Sequence, residues 1–455
     1  MTRVTFFPAS MMLGCRMRSL RPHITVAVQS LRCGATRMND ESAISPVSLL
    51  VLHRHGDRSP LRGHSPDEEL LPGARGRGRD REEGVRRGSK VPALPSAEEY
   101  WSEQLVPQEE VERLDRLYPV HRDPGEADPV DDVSAPFGCL TSTGLQQLKD
   151  MGQGLWIRYA NHGIHQARVE AFSTNYRRTQ LSAQGFLDGL RGGKGGIPVV
   201  VRPRAADFLN NWESRGREMT EMMLSVEADP SFRAREEAIG GPLKRDLNRL
   251  APDVFQLAPG KRFRWMMAAD YFMCARAHGL RIPADLDALG GATIRHLIWR
   301  FRKFYGDRTM LKTMIGPLLR HILECIEHSV PENGAQATEH ENGGTIRRIV
   351  SSSCHDVTIM ALLYALDSHL LGDDDFWSPY ASTILFEVST AKEAISTEGG
   401  NRGKDPRVLK ILIDGQPLRS GLFPNSEGFV REKDFCNVIR DLVDPDSDSD
   451  SDFDP

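Results

Sequence analysis

The stretch Leu49–Pro60, LLVLHRHGDRSP, constrains the fold more than any other part of this 455-residue chain. Its apolar beginning has the length of a fully buried strand, the kind found in parallel sheets. A glycine and a proline in its second half interrupt regular structure. Arg54 and Arg58 flank His55 where the strand opens into a loop. Because guanidinium groups match phosphate oxygens and an imidazole can attack phosphorus, the stretch predicts a phosphoryl-transfer site.

Composition and cysteine usage narrow the class of protein. The formal charge of −5 argues against a protein that binds nucleic acid or an anionic membrane through its overall charge. The seven cysteines are odd in number, widely spaced and free of CxxC pairs, which indicates reduced thiols rather than a disulfide framework or a zinc site. No apolar run approaches the length of a membrane span. We therefore expect an intracellular protein with no transmembrane segment and no nucleic-acid partner.

The two ends of the chain differ from the rest in charge. Residues 1–39 contain six arginines and no acidic residue, whereas residues 444–455 contain six aspartates. An arginine-rich, serine-containing and acid-free segment is typical of a mitochondrial transit peptide. The alternative is a disordered tail, or upstream sequence with Met38 as the true start and a cytoplasmic location. We assign residues 1–43 to this targeting-like or disordered segment and expect the acidic tail to be disordered.

Alternating strand and helix patterns follow the first loop. After a helix that we predict from Thr141 to about His162, short buried strands are predicted at Val169–Phe172 and Val199–Val201, with another helix between them. This alternation predicts an α/β fold with a mostly parallel sheet flanked by helices.

The remaining segments divide the chain into a core and an insertion. We place the α/β core at residues 44–204 and 345–443. Within it, residues 61–136 are predicted to be an irregular insertion with one small helical element. Residues 205–344 have helical patterns and almost no strand signal, which predicts an α-helical cap inserted into the core.

Three predicted strands, at Leu49–Leu52, Val169–Phe172 and Ile346–Ser352, end in residues suited to phosphate chemistry. In a parallel sheet the carboxyl ends of the strands meet at one edge, so we expect these residues to converge. The candidates at the three corners are Arg54, His55, Arg58, Arg178, His355 and Asp356.

Two of these corners carry motifs of a known family. The motif Arg-His-Gly-x-Arg-x-Pro at 54–60 and His-Asp at 355–356 resemble the histidine phosphatase superfamily, in its acid-phosphatase branch. Residues 173–183 resemble the family segment that donates a third arginine, and residues 139–144 resemble its Leu-Thr-x-x-Gly helix start. Residues 379–387 and the Asp-Gly turn at 414–415 resemble its late strands. The resemblance implies a phosphoglycerate mutase-like core with an inserted α-helical cap, and a metal-independent reaction without cofactors.

The resemblance also implies a role for each candidate residue. His55 attacks phosphorus and becomes a transient phosphohistidine, and Asp356 protonates the leaving alkoxide and then helps to activate water. The phosphoryl oxygens are held by four side chains, which are Arg54, Arg58, Arg178 and His355.

Several details stay open in the sequence. Because Arg177 directly precedes Arg178, the assignment of the third arginine carries an ambiguity of one residue. Asp57 either hydrogen-bonds the loop, which we favour, or serves as an auxiliary carboxylate. His278, within Arg-Ala-His-Gly, is interpreted as a helix C-cap rather than a site residue.

The sequence thus predicts an acid phosphatase that releases inorganic phosphate from a small-molecule phosphate monoester. The subfamily that it resembles most is the lysophosphatidic acid phosphatase-like group. Two alternatives stay open, a sugar- or inositol-phosphate phosphatase on the same site and a catalytically silent phosphate-binding scaffold. Retention of both His55 and Asp356 argues against the scaffold, because binding alone needs neither a nucleophile nor an acid. The oligomeric state cannot be deduced.

Overall fold

The computed structural model describes residues 44–61, 97–122, 135–255, 262–329, 345–391, 407–424 and 429–443. The predicted N-terminal segment, the acidic tail and most of the 61–136 insertion lie outside these residues. No helix in the described part of the chain is long and apolar enough to cross a membrane.

Within the described ranges, nine strands form one mixed sheet. The strands are β1 (Ile44–Arg54), β2 (Val120–Arg122), β3 (Arg168–Ser173), β4 (Val199–Val201), β5 (Arg348–Cys354), β6 (Thr383–Ala391), β7 (Arg407–Ile413), β8 (Gln416–Pro417) and β9 (Phe429–Arg431). Their order across the sheet is β2-β4-β3-β5-β1-β6-β7-β8, and β9 pairs with β7. The first five strands in this order are parallel, while the pairs formed by β6, β7, β8 and β9 are antiparallel. The predicted α/β fold with a mostly parallel, helix-flanked sheet is confirmed.

The order of the strands places the site. Strands β3, β5 and β1 are neighbours, and Ser353 is the register partner of both Ser173 and His53. The three strands therefore end at the same level, and the loops that follow them meet at one edge of the sheet.

Helices cover both faces of the sheet. The helices on the N-terminal side are α1 (Ala97–Gln104), α2 (Gln108–Leu117), α3 (Ser142–Arg158) and α4 (Arg177–Arg191). Leu49 and Val51 of β1 pack with Leu148 and Phe186 of α3 and α4, whereas Leu52 faces the opposite core. Alternating side chains of one strand thus serve two separate cores, as a sheet buried on both faces requires.

Between β4 and β5, the described residues in regular structure are all helical. They form α5 (Asn211–Ser214), α6 (Gly216–Ala228), α7 (Pro230–Arg235), a π-helical turn (Glu236–Gly240), α8 (Gly241–Leu250), α9 (Pro252–Phe255), α10 (Trp265–Ala277), α11 (Ala284–Gly306) and α12 (Arg308–Glu327). The chain then returns through β5 to α13 (Asp356–Ala365), and α14 (Glu432–Val443) follows β9. The helices of this segment pack with α13 and α14 in the core that contains Leu52, on the opposite face of the sheet from α3 and α4. The boundaries of the cap at 205 and 344 remain a prediction.

Two elements differ from the sequence predictions. Residues 61–136 are not irregular throughout, because β2 joins the edge of the sheet beside β4. A strand of three residues is too short to show an alternating pattern. The helix predicted to reach His162 ends at Arg158 and continues as two short 3₁₀ turns around Gly163, whose φ of +66° suits glycine.

Two glycines let the loop after β1 approach helix α3 closely. A Cβ atom built on Gly144 would lie 2.1 Å from the carbonyl oxygen of Asp57, and one built on Gly56 would lie 2.2 Å from that of Gly144. Thr141 caps α3 by accepting a hydrogen bond from Gly144 N at 3.0 Å. The start of α3 and the loop after β1 are therefore packed backbone against backbone.

We expect Gly144→Ala to destabilise the fold by about 3 kcal/mol or more, because neither backbone can move away without breaking the cap. Denaturant unfolding measures this change. Gly216→Ala is the matched control, since a Cβ atom there meets nothing within 4 Å, and its effect should stay below about 1 kcal/mol. Equal effects of the two substitutions would contradict the close packing.

Candidate active site

The loops after β1, β3 and β5 bring all six predicted residues to one place. Arg54 and His55 are each 2% exposed, and the other four predicted residues are also buried. Burial of this many ionisable groups at one edge of the sheet is costly, and it marks the position as a functional site.

His55 is held in one orientation. Its Nδ1 atom lies 2.8 Å from the carbonyl oxygen of Gly56, and Gly56 N donates to Ser182 Oγ at 3.1 Å. A carbonyl oxygen only accepts, so Nδ1 carries the proton and the lone pair is on Nε2. Burial, and then the charges of Arg54 and Arg178, hold the pKa of His55 well below its ordinary value. The imidazole is therefore neutral and its Nε2 is nucleophilic even in acid.

Arg54 links the first corner to the third. Its Nη2 atom lies 2.8 Å from Asp356 Oδ2, its Nη1 donates to the carbonyl oxygen of Ser378 at 2.6 Å, and the guanidinium lies 4.3 Å from the ring centroid of Tyr380. The buried Nε of Arg54 bonds to no atom of the described residues. One donor of this guanidinium is thus available for an anion.

The structure distinguishes the two neighbouring arginines. Arg177 forms an ion pair with Asp115, with 2.6 Å between Nη2 and Oδ2. Arg178 is 7% exposed and packs 4.3 Å from the ring centroid of Tyr176. Its charge lowers the pKa of both His55 and His355. Arg178, the residue that the sequence favoured, is therefore the one beside the two histidines.

His355 precedes the first residue of α13 and lies beside His55. Its ring is 5.7 Å from that of His55, and its Nε2 lies 3.0 Å from Thr174 Oγ1. Burial, and next the charge of Arg178, hold the pKa of His355 well below its ordinary value. In the free site both imidazoles are therefore neutral.

Asp356 is the first residue of α13. Its Oδ1 accepts from Val357 N at 2.8 Å, and its Oδ2 accepts from Trp377 Nε1 at 3.2 Å as well as from Arg54. Burial raises the pKa of this carboxyl, but the charges of Arg54 and Arg58 outweigh it and the pKa lies below its ordinary value. Asp356 is a carboxylate while the site is empty.

Arg58 has a partner that the sequence analysis missed. Its Nη2 atom lies 2.7 Å from Asp270 Oδ1, and both side chains are buried. Burial lowers the pKa of Arg58, but the charge of Asp270 more than compensates and the pKa lies well above its ordinary value. A signal did exist, because Asp270 is the single acidic residue in the apolar stretch WMMAADYFMCARA. Trp377 and Thr174 gave no comparable signal.

Asp57 and His278 contact each other. The Oδ2 atom of Asp57 lies 2.7 Å from His278 Nε2 and 2.6 Å from Thr141 Oγ1. Asp57 therefore holds the loop in place, the role that we favoured. His278 is the C-cap residue of α10, as expected. Its bond to Asp57 in the loop after β1 was not predicted.

A cavity of about 700 Å³ adjoins the site. It is lined mainly by apolar side chains, among them Met151, Leu155, Met273 and Leu385. His55 is not part of its lining. Arg54, Trp377 and Tyr380 are part of it. Within the described residues, no group of three or more His, Cys, Asp or Glu side chains is arranged to hold a metal ion.

A known protein family matches most of the chain. The family model of the histidine phosphatase superfamily (branch 2) matches residues 47–412. Lysosomal acid phosphatase from Homo sapiens is 24% identical over 273 residues, which are 55% of this chain and 59% of the relative, and the Pongo abelii protein gives the same values. The chain therefore spans less than two thirds of the length of these curated relatives.

Solved structures share the fold. Multiple inositol polyphosphate phosphatase from Bifidobacterium longum, in complex with phosphate, matches with a TM-score of 0.53 at 12% identity. The match covers 92% of this chain and 95% of the chain of that phosphatase. Hafnia alvei phytase in complex with tartrate has a TM-score of 0.51 at 12% identity and covers 89% of this chain and 98% of its own. Since the family model spans most of the chain, from β1 to β7, the protein belongs to the histidine phosphatase superfamily, branch 2.

Proposed function

We propose that this protein hydrolyses phosphate monoesters through a phosphohistidine on His55. The observation that carries the proposal is the state of this side chain, a neutral imidazole anchored through Nδ1 and surrounded by the charges of three arginines. A scaffold that only bound phosphate would gain more from a protonated histidine, which adds positive charge. A neutral one suits nucleophilic attack.

The first step transfers the phosphoryl group. The lone pair of His55 Nε2 forms a bond to phosphorus while the bond from phosphorus to the ester oxygen breaks. The positive charges of Arg54, Arg58 and Arg178 stabilise the negative charge on the three equatorial oxygens. Neutral His355 adds a hydrogen-bond donor without repelling the attacking ring.

The second group required is a proton donor, and we assign this role to Asp356. Arg54 keeps it ionised in the empty site. A bound phosphate places negative charge beside the carboxylate and shares the charge of Arg54, which raises the pKa of Asp356. The carboxyl then protonates the departing alkoxide. As a carboxylate again, it accepts a proton from the water that hydrolyses the phosphohistidine and releases phosphate.

The cavity supports a substrate with an apolar tail, of the lysophosphatidic acid class. Tyr380 both lines the cavity and lies with its ring 5.9 Å from that of His55, so the cavity begins one side chain away from the nucleophile. A phosphate at His55 can extend its ester group past Tyr380 toward Met273 and Ala277. Burial of an acyl chain there contributes about 0.8 kcal/mol per methylene group.

A sugar or inositol phosphate is the second candidate. Arg202 and Arg204 are exposed directly after β4, at the same edge of the sheet as the phosphate site. Two of the proteins that share the fold are a phytase and an inositol polyphosphate phosphatase. An inositol phosphate with several phosphate groups would pair with such exposed arginines.

Purified protein should hydrolyse an aryl phosphate between pH 4 and 8 in the presence of a chelator, and His55→Ala should abolish turnover. Because the pKa of His55 lies well below 6.5, activity should not fall as the pH drops through 6.5. Release of inorganic phosphate measures both effects. His165→Ala, at an exposed histidine, is the control and should retain activity. An inactive, folded wild type would favour the scaffold.

Asp356→Asn should slow alkyl phosphates much more than aryl phosphates, because an alkoxide leaving group needs a proton and a phenolate needs less help. We expect the ratio of alkyl to aryl kcat/KM to fall about 10²-fold. Steady-state kinetics on both ester types measures the ratio. Equal losses on the two types would show that Asp356 is not the general acid.

The tail hypothesis predicts a preference for lysophosphatidic acid over glycerol 3-phosphate, which has the same head group and no acyl chain. Ala277→Phe, which fills part of the cavity, should reduce this preference by at least about tenfold, the effect of roughly two lost methylene contacts. The comparison of kcat/KM values measures it. Faster turnover of inositol hexakisphosphate than of either glycerol ester would favour the second candidate.

A further inference from the structure

Helix α10 carries a row of three polar side chains in an otherwise apolar sequence. Asp270, Cys274 and His278 are four residues apart, so they lie along one face of the helix and its C-cap. We call residues 55–61, the loop after β1, the catalytic loop. Asp270 and His278 contact this loop, and Cys274 contacts Tyr380 beside it. We call this row the loop-facing stripe of α10.

Asp270 makes the strongest of these contacts. Its Oδ1 accepts from Arg58 Nη2 at 2.7 Å, and its Oδ2 accepts from Leu61 N at 2.8 Å. Both carboxylate oxygens thus bind the loop, one through a side chain and one through the backbone. The side chains of Asp270 and Arg58 are 3% and 5% exposed, so water scarcely weakens the pair.

The other two residues of the stripe hold neighbouring positions. Cys274 Sγ lies 3.2 Å from the hydroxyl of Tyr380, the ring that packs under Arg54. His278 Nε2 lies 2.7 Å from Asp57 Oδ2. Cys274 Sγ also lies 3.7 Å from the carbonyl oxygen of Arg58. All three residues of the stripe therefore contact the catalytic loop, and Cys274 also reaches Arg54 indirectly through Tyr380.

The bonds of Arg58 show which of its donors remain for a ligand. Nη1 donates to the carbonyl oxygen of Ser59 at 2.9 Å and to Cys274 Sγ at 3.9 Å, and Nη2 donates to Asp270. The buried Nε bonds to no atom of the described part of the chain. A guanidinium is planar, so two fixed nitrogens determine where the third N–H points.

We propose that Asp270 is a positioning residue that orients Arg58 so that its unused N–H groups meet the phosphoryl oxygens in the transition state. This inference rests on the proposed function and adds a residue of the cap to the catalytic machinery. Asp270 does not touch the phosphoryl group. In this proposal its effect on the phosphoryl group passes through Arg58, and a double-mutant cycle separates this route from the bond of Asp270 to Leu61 N.

The test uses Asp270→Asn, Arg58→Ala and the double variant in the full-length protein. Vanadate, which adopts the five-coordinate geometry of the transition state, and inorganic phosphate serve as probes of binding by calorimetry. We expect Asp270→Asn to weaken vanadate binding and to lower kcat/KM by a similar factor, about 10- to 100-fold, and to weaken phosphate binding less. In the Arg58→Ala background the same substitution should change vanadate affinity by less than about twofold.

Circular dichroism and denaturant unfolding must show that every variant is fully folded under the binding conditions, because partial unfolding would itself weaken the apparent affinity. Two further variants test the position of the charge and the specificity of the effect. Asp270→Glu retains the charge but displaces it by one methylene group, and it should also weaken vanadate binding. Asp246→Asn, which removes an exposed ion pair with Arg249, is the matched control and should have no effect.

Unchanged vanadate affinity in both Asp270 variants would overturn the proposal. So would additive effects of Asp270→Asn and Arg58→Ala, because Asp270 would then act by another route. A wild type that binds no vanadate would also refute it. A wild type that binds vanadate and hydrolyses no ester would refute the proposed function, while the binding cycle would still decide the role of Asp270.

Discussion

The burial of three arginines around one imidazole is the constraint on which the rest of the site depends. Arg54, Arg58 and Arg178 are all at most 7% exposed. An unpaired buried charge costs several kcal/mol, so each guanidinium needs compensation inside the protein. Asp356 compensates Arg54 and Asp270 compensates Arg58, while the guanidinium of Arg178 packs against the ring of Tyr176. The site is thus assembled around positive charge that a phosphate group can use.

This charge arrangement also sets the protonation states that catalysis needs. The arginines that attract a phosphate keep His55 and His355 neutral, since a second positive charge among them would be repelled. The same charges hold the pKa of Asp356 below its ordinary value, so the acid role that we propose for it depends on substrate binding. If Asp356 were already protonated in the free enzyme, Arg54 would lose its ion pair. A carboxyl that gains its proton only when substrate binds keeps this pair in the free enzyme.

The sequence predicted those site residues whose positions follow from a strand and the loop directly after it. The buried strand that ends at Arg54 contains an apolar run, whereas the strand before His355, RIVSSSC, has only two apolar residues ahead of its serines. The parallel order of the sheet brings the ends of the two strands together. The partners from the cap could not be predicted in this way. Asp270 is 212 residues from Arg58 in sequence, and no local pattern records which face of a distant helix meets the loop. Likewise, the sequence favoured Arg178 over Arg177 but left an ambiguity of one residue, and the ion pair of Arg177 with Asp115 is seen only in three dimensions.

Helix α10 contacts both the cavity and Arg58, so in our proposal the cap affects the reaction as well as the choice of substrate. Met273 and Ala277 line the cavity, and on the loop-facing stripe of the same helix Asp270 holds Arg58. A helix is stiff over four turns, so a ligand that displaces the cavity side of α10 also displaces the carboxylate that orients Arg58. Selection for a new substrate in this fold must therefore preserve one side of α10 while it varies the other. Substitutions at the cavity side that also lower turnover of small esters would reflect this shared helix rather than lost contacts with the tail.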